Sequence, residues 1–164
     1  MSIHPTRGEV DLVKQVAFVA CNGGCRNASC GYGCIGCGAC VSTCPFDAVA
    51  INDNGVAEVD ELKCQGCGAC ASECPQGIIR LHEAGSCIVV KCSNRDPGKI
   101  ARAACQVSCI GCGICEKACP SGAAKVKENL SVIDEALCLS CGMCAVKCPR
   151  HAIYDLRGVL TEKN

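Results

Sequence analysis

One cysteine spacing occurs four times in this chain of 164 residues. The spacing is C-x2-C-x2-C-x3-C followed directly by proline, and it stands at residues 34–45, 64–75, 109–120 and 138–149. The starts of the first two copies and of the last two copies are about equally far apart. The chain is therefore predicted to be a duplicated unit in which each half carries two of these motifs.

The composition leaves little material for an ordinary core. The chain has 22 cysteines, and only 2% of its residues are aromatic. Small domains of this kind use disulfides or metals in place of a large apolar core, and the redox compartment decides between the two. The N-terminal residues lack the apolar stretch of a signal peptide, and no segment approaches the roughly 20 apolar residues of a membrane span. We therefore expect a soluble, cytoplasmic protein whose thiols bind metal.

The spacing of the motifs points to one kind of metal centre. Thiolate sulfur is the soft ligand of iron-sulfur clusters, and the C-x2-C-x2-C-x3-C-P run sends its fourth cysteine to the other cluster of a pair. Four 4Fe-4S clusters are therefore predicted. Their ligands would be Cys34, Cys37, Cys40 and Cys74 for cluster one, Cys64, Cys67, Cys70 and Cys44 for cluster two, Cys109, Cys112, Cys115 and Cys148 for cluster three, and Cys138, Cys141, Cys144 and Cys119 for cluster four.

Zinc is the alternative metal for C-x2-C pairs. Zinc sites normally combine two knuckles of two ligands each, separated by a spacer. Three cysteines at consecutive x2 spacing and a fourth before proline, repeated four times, favour iron-sulfur clusters instead. The three histidines, His4, His82 and His151, have no spacing that joins them to a cysteine set, so we interpret them as solvated or capping residues.

Six cysteines lie outside the motifs: Cys21, Cys25, Cys30, Cys87, Cys92 and Cys105. Cys21 and Cys92 each end an apolar run, and Cys30 and Cys105 each lie four residues before a motif. These four could meet near a pseudo-twofold axis and hold a fifth 4Fe-4S cluster, with Cys25 as an alternative ligand. The other interpretation is that the six are free thiols. Cys87, inside a predicted strand, is expected to be a small buried apolar residue.

The segments between the motifs predict the fold. They alternate like strands, and the residues between the third and fourth cysteines suit one or two helical turns that proline then stops. We predict an α+β fold of two tandem, bacterial-type 2x4Fe-4S ferredoxin-like units, related by a pseudo-twofold duplication, small and loop-rich. The predicted division is an N-terminal extension at 1–15, units at 16–86 and 87–155, and a C-terminal tail at 156–164. The charged stretch 93–102 is interpreted as a solvated loop that leads into a short helix.

Charge is distributed unevenly along the chain. Residues 1–86 have 5 basic and 9 acidic side chains, whereas residues 87–164 have 11 basic and 7 acidic ones. This asymmetry could orient two different redox partners, or it could be scatter. No basic patch interleaved with aromatic residues suggests nucleic acid. No phosphate-binding or dinucleotide-binding glycine motif occurs, so we expect no catalytic site in the chain itself.

Several segments resemble a known family. The runs CGYGCIGCGACVSTCPFDAVAI, VDELKCQGCGACASECPQGIIRL, VVKCSNRDPGKIARAACQVSCIGCGICEKACP and IDEALCLSCGMCAVKCP are similar to the ferredoxin-like (polyferredoxin) part of the B subunit of Rnf-type ferredoxin:NAD oxidoreductase complexes. The similarity covers about residues 17–155. It implies that the chain receives electrons from ferredoxin and passes them along its clusters to other subunits.

The chain resembles a short, soluble form of that subunit without the membrane helix. The resemblance implies an electron-transfer subunit of a cytosolic, electron-bifurcating complex, which relays single electrons between soluble ferredoxin and a flavin-binding or NAD(P)-binding oxidoreductase subunit. Two alternatives remain open, the electron-input subunit of a membrane Rnf-type complex and a stand-alone polyferredoxin. Direct insertion into a membrane is not expected.

Overall fold

The computed structural model describes residues 14–23 and 30–158. The first half of this part contains, in chain order, β1 Gln15–Val19, α1 Ala39–Thr43, β2 Val49–Ile51, β3 Ala57–Val59, α2 Ala69–Glu73 and β4 Ile79–Glu83. The second half contains β5 Ile88–Val90, α3 Gly98–Ala104, α4 Ile114–Ala118, β6 Ala124–Lys127, β7 Leu130–Ile133, α5 Met143–Lys147 and β8 Ile153–Asp155. None of the helices in the described part has the length and apolarity to span a bilayer.

The strands form four small antiparallel sheets of two strands each within the described residues. In each half the first strand pairs with the last, β1 with β4 and β5 with β8, and the two inner strands form a hairpin between the motifs. The same order of strands and motif helices therefore occurs twice, and among the described residues the second half adds α3 before its first motif helix. The predicted fold class, two tandem ferredoxin-like units in a small loop-rich chain, is confirmed. The division of the chain into segments at 15, 86 and 155 stays a prediction.

Each motif contains one short helix, which begins one residue before the third cysteine. The prediction placed the helix after that cysteine. The earlier start follows from the preceding glycines, Gly38, Gly68, Gly113 and Gly142, which have φ angles of 71–77°. Glycine adopts this left-handed conformation without the steric cost that a Cβ brings, so the chain reverses there and enters the helix at once. The fourth cysteine is already extended, as a residue before proline prefers.

The core of each half is built from aliphatic side chains and cysteines. Val16 and Ile78 are buried in the first half, and Ile88, Leu130 and Ile153 are buried in the second. The third cysteine of every motif belongs to these cores. The thiols are therefore part of the packed interior. Metal bound to them would complete a core that is otherwise small, which is how many short domains gain stability.

Cys87 and His82 show how well burial follows from the sequence. Cys87, directly before β5, is buried as predicted. The interpretation of His82 as solvated or capping is wrong, because its side chain is only 2% exposed and its ring meets Phe18 edge-on. His82 lies opposite Val16 in the β1–β4 ladder and shares its buried face. Neither ring nitrogen finds a hydrogen-bond partner among the described residues. His151 is exposed, and His4 lies outside the described residues.

Polar contacts join the two halves beside the strands β1 and β5. The Ser93 hydroxyl donates to the carbonyl of Ala20 at 3.0 Å. The Asn22 amide donates to the Tyr154 hydroxyl at 3.3 Å. These bonds link the residues that follow Cys21 and Cys92 to the opposite half. The two repeats therefore meet where the non-motif cysteines lie.

Candidate metal centres

The structure places the sixteen motif cysteines in four groups, each with three cysteines of one motif and the fourth cysteine of the neighbouring motif, and cluster binding by these groups stays a prediction. Three of the groups line separate cavities: Cys34, Cys37, Cys40 and Cys74; Cys109, Cys112, Cys115 and Cys148; and Cys119, Cys138, Cys141 and Cys144. In the fourth group, Cys64, Cys44 and Cys67 lie close enough to Cys70 that negative charge on them raises the pKa of the Cys70 thiol. Within the described residues, no three Cys, His, Asp or Glu side chains lie close enough to hold a single metal ion.

Helix packing explains why each group takes a cysteine from the other motif. The helices α1 and α2 pack against each other, as do α4 and α5. Each helix ends directly before the fourth cysteine of its motif. The fourth cysteine is thus delivered to the loop of the neighbouring motif. This is the crossed arrangement that the C-x2-C-x2-C-x3-C-P spacing serves in two-cluster ferredoxins.

Exposure varies within each motif in a regular way. The second cysteine is exposed in all four motifs: Cys37, Cys67, Cys112 and Cys141. The third cysteine is buried in all four: Cys40, Cys70, Cys115 and Cys144. A metal group held by such a set would lie between the core and the surface. One ligand of each group would be directly accessible to a partner protein.

Backbone amides donate to the motif sulfurs. The N–H of Ala17 reaches Cys64 Sγ at 3.3 Å, and the N–H of Ala48 reaches Cys44 Sγ at 3.4 Å. Similar bonds of 3.4–3.5 Å reach Cys34, Cys109, Cys119, Cys138 and Cys148. Donors aimed at ligand sulfurs stabilise the negative charge that a reduced cluster carries, and so they tune its potential.

Burial opposes these N–H donors, because it disfavours the charged thiolate and so raises the pKa of the thiol. It raises the pKa of the Cys144 thiol to about 11, and it also raises the pKa values of Cys40, Cys70 and Cys115. A buried thiolate is costly unless a cation compensates its charge. Coordination to a metal supplies that cation and deprotonates the thiol outright. Metal binding at these groups would therefore release protons.

Two serine hydroxyls in the second half lie beside motif sulfurs. Ser131 Oγ is 3.3 Å from Cys115 Sγ, and Ser121 Oγ is 3.5 Å from Cys119 Sγ. Burial raises the pKa of the Cys119 thiol, but the Ser121 hydroxyl and nearby backbone N–H groups outweigh it and lower that pKa to about 7. The corresponding residues of the first half are Ala57 and Phe46. Neither serine was predicted from the sequence as a functional residue, although alignment of the two halves reveals these differences.

Four non-motif cysteines line a further cavity between the halves: Cys21, Cys30, Cys92 and Cys105. These are the four that the duplication predicted to meet. Burial raises the pKa of Cys92 to about 11 and also raises that of Cys21. The alternative ligand Cys25 lies outside the described residues.

Asn94 is a polar residue of this cavity that was not predicted from the sequence. Its side chain is only 1% exposed, and its amide Nδ2 lies 3.5 Å from Cys30 Sγ. Its Oδ1 accepts the N–H of Asp96 at 2.7 Å, which fixes the direction of the amide. The interpretation of 93–102 as a solvated loop is therefore wrong at Asn94. The helix expected after it is present as α3.

Comparison with known proteins places the chain among iron-sulfur proteins. A 4Fe-4S dicluster domain matches residues 33–78, and a second family of the same description matches residues 63–124 and 108–153. The two matches of that second family together cover more than half of the chain. They show that the cofactors are several 4Fe-4S clusters and that the chain is an electron-transfer protein.

Three curated relatives carry similar names. The chain is 40% identical to the B subunit of the Na(+)-translocating ferredoxin:NAD(+) oxidoreductase complex of Acetobacterium woodii, over 74% of this chain and 44% of that protein. It is 42% identical to the B subunit of the proton-translocating ferredoxin:NAD(+) oxidoreductase complex of Clostridium ljungdahlii, over 75% and 51%. It is 40% identical to the B subunit of the ion-translocating oxidoreductase complex of Methanosarcina acetivorans, over 74% and 45%. The chain thus spans about half the length of these relatives.

The resemblance to these B subunits that the motifs indicated is confirmed by the three relatives. Among solved structures, a chain of the formate dehydrogenase, heterodisulfide reductase and formylmethanofuran dehydrogenase complex from Methanospirillum hungatei aligns with 74% of this chain and 51% of its own length. The identity is 22% and the TM-score is 0.27, too low to inform the fold. The family matches and the doubled arrangement of strands, helices and cysteines lead to one conclusion: the chain belongs to the 4Fe-4S dicluster domain family.

Proposed function

We propose that this chain is a relay that passes single electrons from soluble ferredoxin to a flavin-binding or NAD(P)-binding oxidoreductase subunit. Four 4Fe-4S clusters, held by the sixteen motif cysteines in the four crossed sets, carry the electrons. The observation that supports this most is the assembly of each set from two motifs, with one exposed cysteine in each motif. Exposed ligands allow a partner to approach a cluster closely without opening the core.

The completeness of the sets favours a relay over a catalytic centre. Each set offers four thiols, and a cubane with four thiolate ligands leaves no iron open to a substrate. Electron transfer at such a cluster changes its charge by one and breaks no bond. The chain's own residues hold the clusters, donate N–H groups to their sulfurs and exclude water from their inner side.

We further propose that the complex is cytoplasmic and electron-bifurcating. The support for a cytoplasmic location is the dependence of thiol ligands on a reducing compartment. A second candidate is the electron-input subunit of an ion-translocating membrane complex. The names of the relatives, which are 40–42% identical, favour this candidate.

Anaerobic stopped-flow mixing tests the relay. A soluble ferredoxin, reduced chemically and freed of reductant, is mixed with the full chain after cluster reconstitution. The expected result is loss of the chain's visible absorbance as it accepts electrons, and recovery when a flavoprotein oxidant is added. A chain that stays oxidised beside reduced ferredoxin would contradict the proposal. The chain purified without iron is the control.

Purification of the tagged full chain from its source cells separates the two complexes. A flavin-bearing, NAD(P)-reactive subunit in the soluble fraction supports the cytoplasmic complex. Co-purification with integral membrane subunits supports the ion-translocating complex and contradicts the cytoplasmic one.

A further inference from the structure

The same hydrogen bond occurs in each half beside the cavity that lies between them. The N–H of Cys34 donates to Cys21 Sγ at 3.4 Å, and the N–H of Cys109 donates to Cys92 Sγ at 3.3 Å. Cys34 and Cys109 are the first cysteines of the sets for clusters one and three. Each half thus presents one sulfur of the cavity directly against one of its own cluster sets.

The second pair of cysteines completes a closed group. Cys30 and Cys105 each lie four residues before a motif, and both line the cavity with Cys21 and Cys92. The Cys105 carbonyl accepts from Arg150 Nη2 at 2.7 Å and from the Ser108 hydroxyl at 3.1 Å. These bonds hold the backbone of Cys105 in place from the second half. Two ligands from each half give four thiols around one space.

The donors around the cavity suit thiolates better than free thiols. Three of the four sulfurs accept a hydrogen bond, two from backbone N–H groups and one from the buried amide of Asn94. A neutral thiol is a weak acceptor, so a buried amide aimed at one is poorly satisfied. Sulfurs that carry charge because they bind iron would be strong acceptors for the same donors.

We propose that Cys21, Cys30, Cys92 and Cys105 hold a fifth 4Fe-4S cluster that the two halves share, and that this cluster connects cluster one to cluster three. One electron leaves reduced cluster one, which becomes oxidised, and reduces the shared cluster. The same electron then passes to cluster three, and no ligand bond breaks. The inference rests on the proposed relay and adds to it a continuous path between its halves.

Asn94 is the positioning residue of the shared cluster. The equivalent position in the first half, two residues after Cys21, is Gly23, which has no side-chain donor. The Asn94 amide reaches across to Cys30 of the first half. The donor therefore makes the site asymmetric, and it stabilises the reduced state of this cluster alone.

Iron content of the reconstituted full chain tests the proposal. Five clusters require about twenty irons per chain, and four require about sixteen. We expect about twenty in the native chain and about sixteen in Cys92→Ala and in Cys105→Ala. The matched control is Cys87→Ala, a buried cysteine outside the cavity, which should keep about twenty.

The count separates the failure of this inference from failure of the relay. About sixteen irons in the native chain would overturn the fifth cluster and leave the four-cluster relay intact. Far fewer than sixteen would overturn both. Because the native chain alone decides between these outcomes, the test does not depend on the variants folding.

A redox titration of Asn94→Leu, followed by electron paramagnetic resonance, tests the shared cluster independently. We expect one reduction step to move to a lower potential, while the remaining steps keep theirs and the iron content stays at about twenty. Unchanged potentials at full iron content would overturn the assignment of Cys30 to this cluster. An equal shift of all steps would overturn the placement of Asn94 at one cluster.

Discussion

The two halves of the chain hold their cysteines in the same frame but surround them differently. Both contain an outer strand pair, an inner hairpin and two packed motif helices. Beside these shared elements, the second half places the hydroxyls of Ser131 and Ser121 next to ligand sulfurs, where the first half has Ala57 and Phe46. The first half also has more acidic than basic side chains, and the second half has the reverse.

The features that determine the fold are therefore different from those that we expect to set the cluster potentials. The motif spacing is the same in both halves and produces the same architecture. Hydroxyl donors and positive charge stabilise the more negative, reduced form of a cluster. We therefore expect clusters three and four to have higher potentials than clusters one and two. Electrons would then move from the first half to the second.

Removal of a single cysteine ligand, tested separately in each half, should have the largest effect on iron content and on the reduction steps. Cys40→Ala and Cys115→Ala each delete the buried third cysteine of a motif, at matched positions. Each variant should lose about four irons per chain. The lost reduction step should be a low-potential one in Cys40→Ala and a high-potential one in Cys115→Ala. Iron analysis and a redox titration measure both, and loss of a high-potential step in Cys40→Ala would contradict the order of the halves.

Substitution of the fourth cysteine of a motif should have a comparably large effect, the loss of one reduction step. Cys74→Ala lies in the second motif but should abolish the same reduction step as Cys40→Ala, because its sulfur lines the cavity of cluster one. Cys44→Ala should instead abolish the step of cluster two. The titrations of the three variants distinguish crossed from uncrossed sets. If Cys44→Ala abolishes the same step as Cys40→Ala, the sets are not crossed.

Exchange of Ser131 and the equivalent Ala57 should shift the cluster potentials by a smaller amount, in opposite directions. A net hydrogen bond contributes about 1 kcal/mol, which corresponds to roughly 40 mV for a one-electron step. Ser131→Ala should lower the potential of cluster three by up to that amount, and the reciprocal Ala57→Ser should raise that of cluster one. A titration in which Ser131→Ala raises the potential, or leaves it unchanged, would show that the hydroxyl does not donate to the cluster.

Ser121→Ala should lower the potential of cluster four by less. The contact between Ser121 Oγ and Cys119 Sγ is longer, at 3.5 Å, than the one at Ser131. Backbone N–H groups also donate to the same sulfur and remain in the variant. A shift larger than that of Ser131→Ala would reverse the expected ranking of the two donors.

The difference in net charge between the two halves should have the smallest effect on the cluster potentials. Exposed charges act through water and are screened within about 10 Å at 0.1 M salt and about 3 Å at 1 M. A change from low to high ionic strength should therefore narrow the gap in potential between the halves only slightly. If salt abolishes the gap, surface charge and not hydrogen bonding sets the potentials.

Much of the fold and the cysteine grouping was predictable because the motif spacing constrains the chain locally. The duplication also indicated that Cys21, Cys30, Cys92 and Cys105 would meet. His82 and Asn94 were misjudged because their burial depends on strand register and on contact between the halves, which leave no periodic pattern in the sequence. The early helix start was missed because it depends on the left-handed glycine before each helix.

The most direct test of the central claim is a visible redox titration of the anaerobically reconstituted full chain, with metal and sulfide analysis of the same sample. We expect at least about sixteen irons with a similar amount of inorganic sulfide, and absorbance that bleaches reversibly at potentials of roughly −400 mV. A colourless chain that contains zinc, or one that does not bleach with dithionite, would contradict an iron-sulfur relay.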